Sequence, residues 1–396
     1  MSAPLLLDLT HTSHTRARTG IQRVARSLHA ALGGRALAIT HDPHAGAWRA
    51  LEAWEIANLN ADDAATKRGA QWPLAAQLRG RAGRWLRQTG ALNSQLSTLN
   101  CAGLIMPEVF SPAVAAALPA LFAVTRGPRV ALFHDAIALK YPELTPTKTV
   151  ARFPAYLHEL LVFDGIAAVS VDSRDSLLDY WRWLGVRDTP PVHAIPLGIK
   201  VERHAWRDTP AMGALPIVLC VGTLEGRKNH LALLDACELL WERSARFELR
   251  LVGLAQPDTG RAALARVRTL QAAGRALRYD GPLGDSAVDD AYATCAFTVY
   301  PSHIEGFGLP VLESLAHGRP CICSAHGALG ESARGGGCVA LDDVTAPSLA
   351  AAISRMLDAP AEFAALAAAA RARKLRTWDD YATELVGWLG TLARRS

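Results

Sequence analysis

Two glutamates eight residues apart, Glu305 and Glu313, bracket the segment EGFGLPVLE. An apolar run ending at Tyr300 leads into this segment, and an amphipathic run starts at Pro310. Glycines at 306 and 308 let the backbone approach a ligand closely. The amides of Phe307, Gly308 and Leu309, at a helix start, favour a diphosphate. Two carboxylates beside such a nest cannot both face phosphate, and they suit hydroxyl groups instead, one on a sugar and one on a ribose. A helix cap followed by a solvated glutamate would use the same letters.

The second segment is VGTLEGRKN, residues 221–229, again at the end of an apolar run. Arg227 and Lys228 stand just ahead of a helical run. Positive charge at a helix N-terminus is unfavourable, and a bound anion would offset it; two exposed cations on a turn are the plainer alternative. His134 and Asp135 follow the run Arg129–Phe133, where His134 could hold a hydroxyl or carbonyl or could be a satisfied structural histidine. Gly20, in RTGIQRV (18–24), opens another helical run and would leave room for a ligand there, or would be a turn glycine.

These positions need strands that end where helices begin. Leu5–Leu9, Arg35–Thr40, Gly103–Met106, Arg129–Phe133, Gly165–Val171 and Val192–Pro196 read as strands, and Ile21–Leu32, Tyr156–Phe163 and Ser173–Leu184 as helices, with Ser173 a cap. The second half alternates more clearly: strands over 216–222, 247–253, 277–280, 296–300 and 320–324, and helices over 229–241, 259–273, 286–293, 310–317, 349–357 and 362–373. This order argues for parallel sheets with helices on both faces, whose ligands bind at the carboxyl ends of strands. Residues 42–100 fit no such pattern. There, Arg79, Arg81, Arg84 and Arg87 lie among Leu78, Trp85 and Leu86, as in a basic helix on a membrane surface or a helix packed on its own domain with snorkelling arginines.

The chain has 396 residues, half of them hydrophobic, enough for two cores. Its net charge of +5 is mild and, with no Lys/Arg block, argues against nucleic acid. Seven cysteines without a CxxC pair read as thiols in a reducing compartment. Met1–Thr10 is not read as a secretory leader, and no apolar run is long enough to span a bilayer.

Taken together, these segments resemble the retaining glycosyltransferases of family 4. EGFGLPVLE matches that family's acidic signature. VGTLEGRKN matches its phosphate segment, with Gly226 in place of a common proline. The likeness is close over about 216–345, moderate over 129–200, where HDAIALKYPEL and VSVDSRDSL stand, and poor over 42–100. The resemblance implies an α/β chain of the GT-B fold, two Rossmann-like doubly wound domains facing an interdomain cleft. Residues 1–198 would bind the acceptor, 199–377 would bind the nucleotide sugar, and 378–396 would form a helix packing back on the first domain.

It implies that Glu305 binds donor sugar hydroxyls, Glu313 the ribose, and Arg227 and Lys228 the diphosphate. Gly222, Thr223, Gly306, Phe307, Gly308 and Leu309 would line the donor. His134 would contact the sugar, and Gly20 would lie by the phosphate or acceptor. RTGIQRV resembles bacterial members that build surface polysaccharide, many of which use GDP-mannose. The implied enzyme is a cytoplasmic hexosyltransferase taking a nucleotide-sugar donor and a glycan or lipid-linked glycan acceptor, with room for peripheral contact with the inner membrane. No Asp-x-Asp occurs, so neither a metal nor another cofactor is expected. An epimerase, a phosphorylase, a catalytically dead scaffold and a UDP- or dTDP-sugar enzyme are the alternatives. The absence of GxGxxG after the first strand argues against a nicotinamide enzyme.

Overall fold

The computed structural model describes residues 3–61, 69–86, 101–200 and 215–395. Its first sheet joins β1 (Leu5–Asp8), β2 (Ala36–Asp42), β3 (Ala47–Ala50), β4 (Gly103–Met106), β5 (Arg129–Phe133), β6 (Gly165–Ala168) and β7 (Val192–Ala194) in the order β3-β2-β1-β4-β5-β6-β7. Every pairing is parallel except β2 with β3. The second sheet, wholly parallel, joins β8 (Ile217–Val221), β9 (Glu248–Val252), β10 (Leu277–Tyr279), β11 (Phe297–Tyr300), β12 (Cys321–Ser324) and β13 (Cys338–Leu341) in the order β10-β9-β8-β11-β12-β13. The central strands are apolar over most of their length and buried, as helix-covered parallel strands must be. In each sheet the strand order reverses at one place, between β1 and β4 and between β8 and β11. Crevices for ligands open at such switch points.

Helix α1 (Gly20–Leu32) is capped by Thr19 and Gln22 and buries Val24, Ala25, Leu28 and Leu32. The helix over 147–159 begins nine residues before the expected start at Tyr156, because Pro146 lies just before its first turn and Pro154 is accommodated inside it. The next helix, α3 (Val171–Trp183), is capped by the Ser170 hydroxyl, which accepts from the Ser173 amide at 3.0 Å. Ser173, expected as the cap, is the donor in that bond. All seven cysteines are free, and all but Cys338 are fully buried.

Region 42–86 is the least regular in sequence. Its β2–β3 hairpin carries a buried polar network. His14 Nε2 lies 2.7 Å from Glu55, which Arg49 grips at 2.7 and 2.9 Å, and the His14 ring stacks on Trp72 at 3.9 Å. Helix α2 (Leu74–Trp85) buries only Ala76 and Gly80, the latter against His44 and Ala45. Leu74, Leu78, Trp85 and Leu86 are exposed. The helix does pack on its own domain, but through its small residues, with its large apolar ones facing outward. Arg87 lies outside the described residues, as do residues 201–214, just past the expected domain boundary at 198.

The final helix, α7 (Trp378–Leu389), returns to the first sheet. Tyr381, Leu385 and Leu389 join Leu5, Val24, Leu28 and Ile105 in one apolar cluster. Arg395 is held at Asp164 and Arg129. The two chain crossings between the sheets run side by side: Ile199 bridges Thr377, and its amide donates to the Arg376 carbonyl at 2.9 Å.

Candidate active site

The turn after β8 delivers Gly222, Thr223, Arg227 and Lys228 and leads into α4 (His230–Glu242); the turn after β11 delivers Glu305 and residues 306–309. The two turns are stitched together. The His303 amide donates to the Arg227 carbonyl at 2.9 Å, and the Arg227 guanidinium donates to the Ile304 carbonyl at 3.3 Å. Glu305 receives Arg227 on one oxygen at 2.6 Å and Lys228 on the other at 2.8 Å. The Tyr300 hydroxyl donates to that second oxygen at 3.0 Å and in turn accepts from Lys228. Glu225 takes the other side of Arg227 at 2.7 Å.

Lys228 and Glu305 are each 8% exposed. Burial alone would raise the Glu305 carboxyl, but Arg227 and Lys228 hold it down at about 2. Burial lowers the Lys228 ammonium, with Glu305 pulling the other way. Buried charges persist only when paired and hydrogen-bonded. Here the site stores two cations, Arg227 and Lys228, against two carboxylates, Glu305 and Glu225, so that each cation is already paired before an anion arrives.

Gly306 lines the cavity and is also required by a neighbour that its sequence did not suggest. A Cβ there would sit 2.2 Å from the His134 carbonyl oxygen of the opposite domain. The Gly306 carbonyl accepts from the Ser170 and Ser173 hydroxyls at 2.7 and 3.2 Å, and that of Phe307 from Ser332 at 2.7 Å. In a trans peptide the following N–H points opposite to the C=O, so the amides of Phe307 and Gly308 turn away from those serines. Gly308, with φ +104°, precedes α6 (Leu309–Ala316), which begins one residue before Pro310. Glu331 adds to the domain seam by accepting the first amides of α3, those of Val171 and Asp172, at 3.0 and 2.7 Å.

His134, 7% exposed, places Nε2 at 2.7 Å from the Pro107 carbonyl. That oxygen only accepts, so Nε2 carries the proton. Burial lowers the ring below its ordinary range, which makes it neutral with Nδ1 as an acceptor. Asp135 does not orient it; its carboxylate accepts the Ile137 amide at 3.0 Å.

Glu313 is paired across the cleft. Arg23 of α1 reaches both of its oxygens, and Tyr292, from α5 (Asp285–Thr294), donates to it at 3.2 Å. Arg18 makes a second cross-domain pair with Asp285.

One cavity of about 600 Å³ is lined by all twelve of the expected residues: Gly20, His134, Gly222, Thr223, Arg227, Lys228, Glu305, Gly306, Phe307, Gly308, Leu309 and Glu313. Sequence reasoning assigned no role to Arg23, Tyr292, Asp285, Glu225 or Ser170. Arg23 and Asp285 meet partners more than 260 positions away, which no local spacing reveals. Glu225 stood inside the quoted segment, next but one to Arg227.

Two Rossmann-like sheets facing one another across this basic and acidic hollow define a glycosyltransferase of the GT-B class. Solved structures agree on that fold. Anabaena HepE bound to UDP and glucose superposes with a TM-score of 0.71 at 15% identity, covering 99% of this chain and 100% of that one. Sucrose-phosphate synthase of Thermosynechococcus elongatus gives 0.70 at 18%, covering 98% of each. The chain belongs to the family described as glycosyl transferases group 1, whose pattern matches residues 215–359. It is 30% identical over 274 residues to the O-antigen chain mannosyltransferase B of Escherichia coli, covering 65% of this chain and 68% of that one. It is 23% identical over 332 residues to the serotype-specific mannosyltransferase WbdA of Escherichia coli, covering 80% of this chain but 38% of that longer protein.

Proposed function

We propose that this glycosyltransferase moves a hexose, with retention of anomeric configuration, from a nucleotide-diphosphate sugar to a glycan in bacterial surface polysaccharide: O-antigen, capsule or exopolysaccharide. Mannose from GDP-mannose is the leading donor, a reading supported by the mannosyltransferases among the relatives. The observation that carries the proposal is the meeting of Arg227 and Lys228 at Glu305, beside the amino end of α6, in a cavity open to both domains.

In this reading the pyrophosphate lies on Arg227, Lys228 and the amides of residues 307–309, Glu305 takes sugar hydroxyls, and Glu313 takes the ribose. Charge developing on the departing diphosphate meets cations already fixed in place by their carboxylate partners, the arrangement that lowers such barriers most. A neutral His134 offers Nδ1 to a sugar hydroxyl. As in the retaining glycosyltransferases that the chain resembles, attack proceeds on the same face and the leaving phosphate takes the acceptor's proton; among the described residues Glu305 and Glu313, the two acidic-signature carboxylates, are engaged by Arg227, Lys228 and Arg23. Arg227 and Lys228 do the work a divalent ion would do, and EDTA should leave turnover unchanged.

Peripheral contact with the cytoplasmic face of an anionic membrane belongs to the same reading. Leu74, Leu78 and Trp85, spaced i, i+4, i+11, share the outward face of α2. Arg79, Arg81 and Arg84 lie on the same helix, which contains no carboxylate. Among the described residues no helix is long and apolar enough to cross a membrane.

A thermal-shift panel of GDP, UDP, dTDP and ADP sugars tests the donor assignment. GDP-mannose should give the largest shift. A larger shift with a UDP- or dTDP-sugar would move the donor to that base, and a shift without transfer to any acceptor would favour the scaffold reading.

A further inference from the structure

Glu313 is oriented by two groups, one of them foreign to its domain. Arg23 sits in the first turn of α1, on the other side of the cleft, yet its guanidinium is ion-paired to Oε1 of Glu313 and lies 3.4 Å from Oε2. Tyr292 donates to Oε2 from the Glu313 side. Burial, reinforced by the charge of Glu313, pushes the Tyr292 phenol well above its usual range, so it stays a donor. Attraction to Glu313 likewise raises the Arg23 guanidinium. Both Arg23 and Glu313 line the donor cavity, and both also line a smaller hollow of about 260 Å³ behind it, so the pair forms part of the wall between the two.

A carboxylate has about four acceptor positions. Arg23 and Tyr292 occupy some of them from fixed directions, which sets the plane of the group and leaves others for two adjacent hydroxyls. A carboxylate on a helix of eight residues, with no such partners, would be free to rotate about its side-chain bonds, and fixing it would cost rotamer entropy at the moment of binding.

We propose that Arg23 is a positioning residue for the donor's ribose, acting through Glu313, and that the ribose site is therefore complete only when the two domains stand as they do here. This rests on the reading of Glu313 as the ribose-binding residue. Arg23 need not touch the nucleotide. Its contribution appears only when the ligand has hydroxyls for Glu313 to receive.

The test is a cycle that alters protein and ligand together. Equilibrium binding of GDP and of 2′,3′-dideoxy-GDP, with the uridine pair run alongside, is measured on the full chain and on Arg23→Ala, Arg23→Gln and Glu313→Gln. Arg23→Gln guards against loss of folding in the alanine variant. The wild type should prefer the ribonucleotide. Either Arg23 variant should weaken the ribonucleotide about tenfold, the scale of one lost charge-assisted contact, and leave the dideoxy analogue within about twofold, so the preference collapses. Equal loss for both ligands, or loss for neither, overturns the role of Arg23. Glu313→Gln separates the two layers. If it keeps the wild-type preference, the ribose reading falls and the proposal with it. If it abolishes the preference while both Arg23 variants retain it, the ribose reading stands and the role of Arg23 fails.

Discussion

The two ends of one nine-residue segment are held in opposite ways. Glu305 is satisfied within its own domain by Arg227, Lys228 and Tyr300, all from neighbouring strand ends. Glu313, eight residues on and in the second turn of α6, is held by Arg23 from the other domain. The Glu305 end is therefore a preformed charge cluster, while the Glu313 end depends on how the domains stand. Phosphate chemistry needs fixed cations and can be built into one rigid half, whereas recognition of the rest of the donor can be made conditional on closure.

Removing a member of the preformed cluster should be the most damaging change. Arg227→Ala, Lys228→Ala and Glu305→Ala should each reduce turnover by at least about 100-fold, as expected for loss of a charge-stabilising or positioning group. Near wild-type rates in all three folded variants would break the contrast.

Next comes the seam between the domains. Gly306→Ala places a methyl 2.2 Å from the His134 carbonyl and 3.1 Å from the Asp135 side chain. It should lower both the melting temperature and kcat, the latter by about tenfold, since small misplacement of reacting groups is costly. Gly20→Ala, with nothing within 4 Å of the added carbon, should leave stability within about 0.5 kcal/mol. Equal melting temperatures for the two variants would show that the seam does not constrain Gly306.

The smallest effect is in acid. The Glu305 carboxyl falls from an ordinary 4.5 to about 2 on folding. A depressed carboxylate stabilises the fold fully above its unfolded value and loses that contribution as pH drops through the folded one. The stability gap between wild type and Glu305→Gln should thus be constant above about pH 5, narrow below 4.5 and close near 2. A gap independent of pH would mean that Glu305 is not held by its cations.

The Glu305 end was legible because its parts are close in sequence and sit at the ends of apolar strands. EGFGLPVLE and VGTLEGRKN are each contiguous, and the strands that carry them have little choice of register once buried. The second reason for Gly306 was not legible: a glycine signals close approach without saying what approaches, and here the His134 carbonyl crowds it as well as the cavity. Region 42–86 was illegible for another reason. Its interior is built from His14, Glu55, Arg49 and Trp72, and α2 packs through Ala76 and Gly80. Buried polar groups and small contact residues show no hydrophobic periodicity. The displaced cap at Ser170 followed from two serines three residues apart, either of which could have served.

The central claim is that Arg227 and Lys228 serve the pyrophosphate. Binding of a nucleoside monophosphate and the matching diphosphate to wild type and to Arg227→Ala tests it most directly, in the base that the thermal-shift panel selects. The account predicts that the wild type favours the diphosphate and that Arg227→Ala loses most of this advantage while binding the monophosphate about as well as before. An advantage left intact in the variant would contradict it.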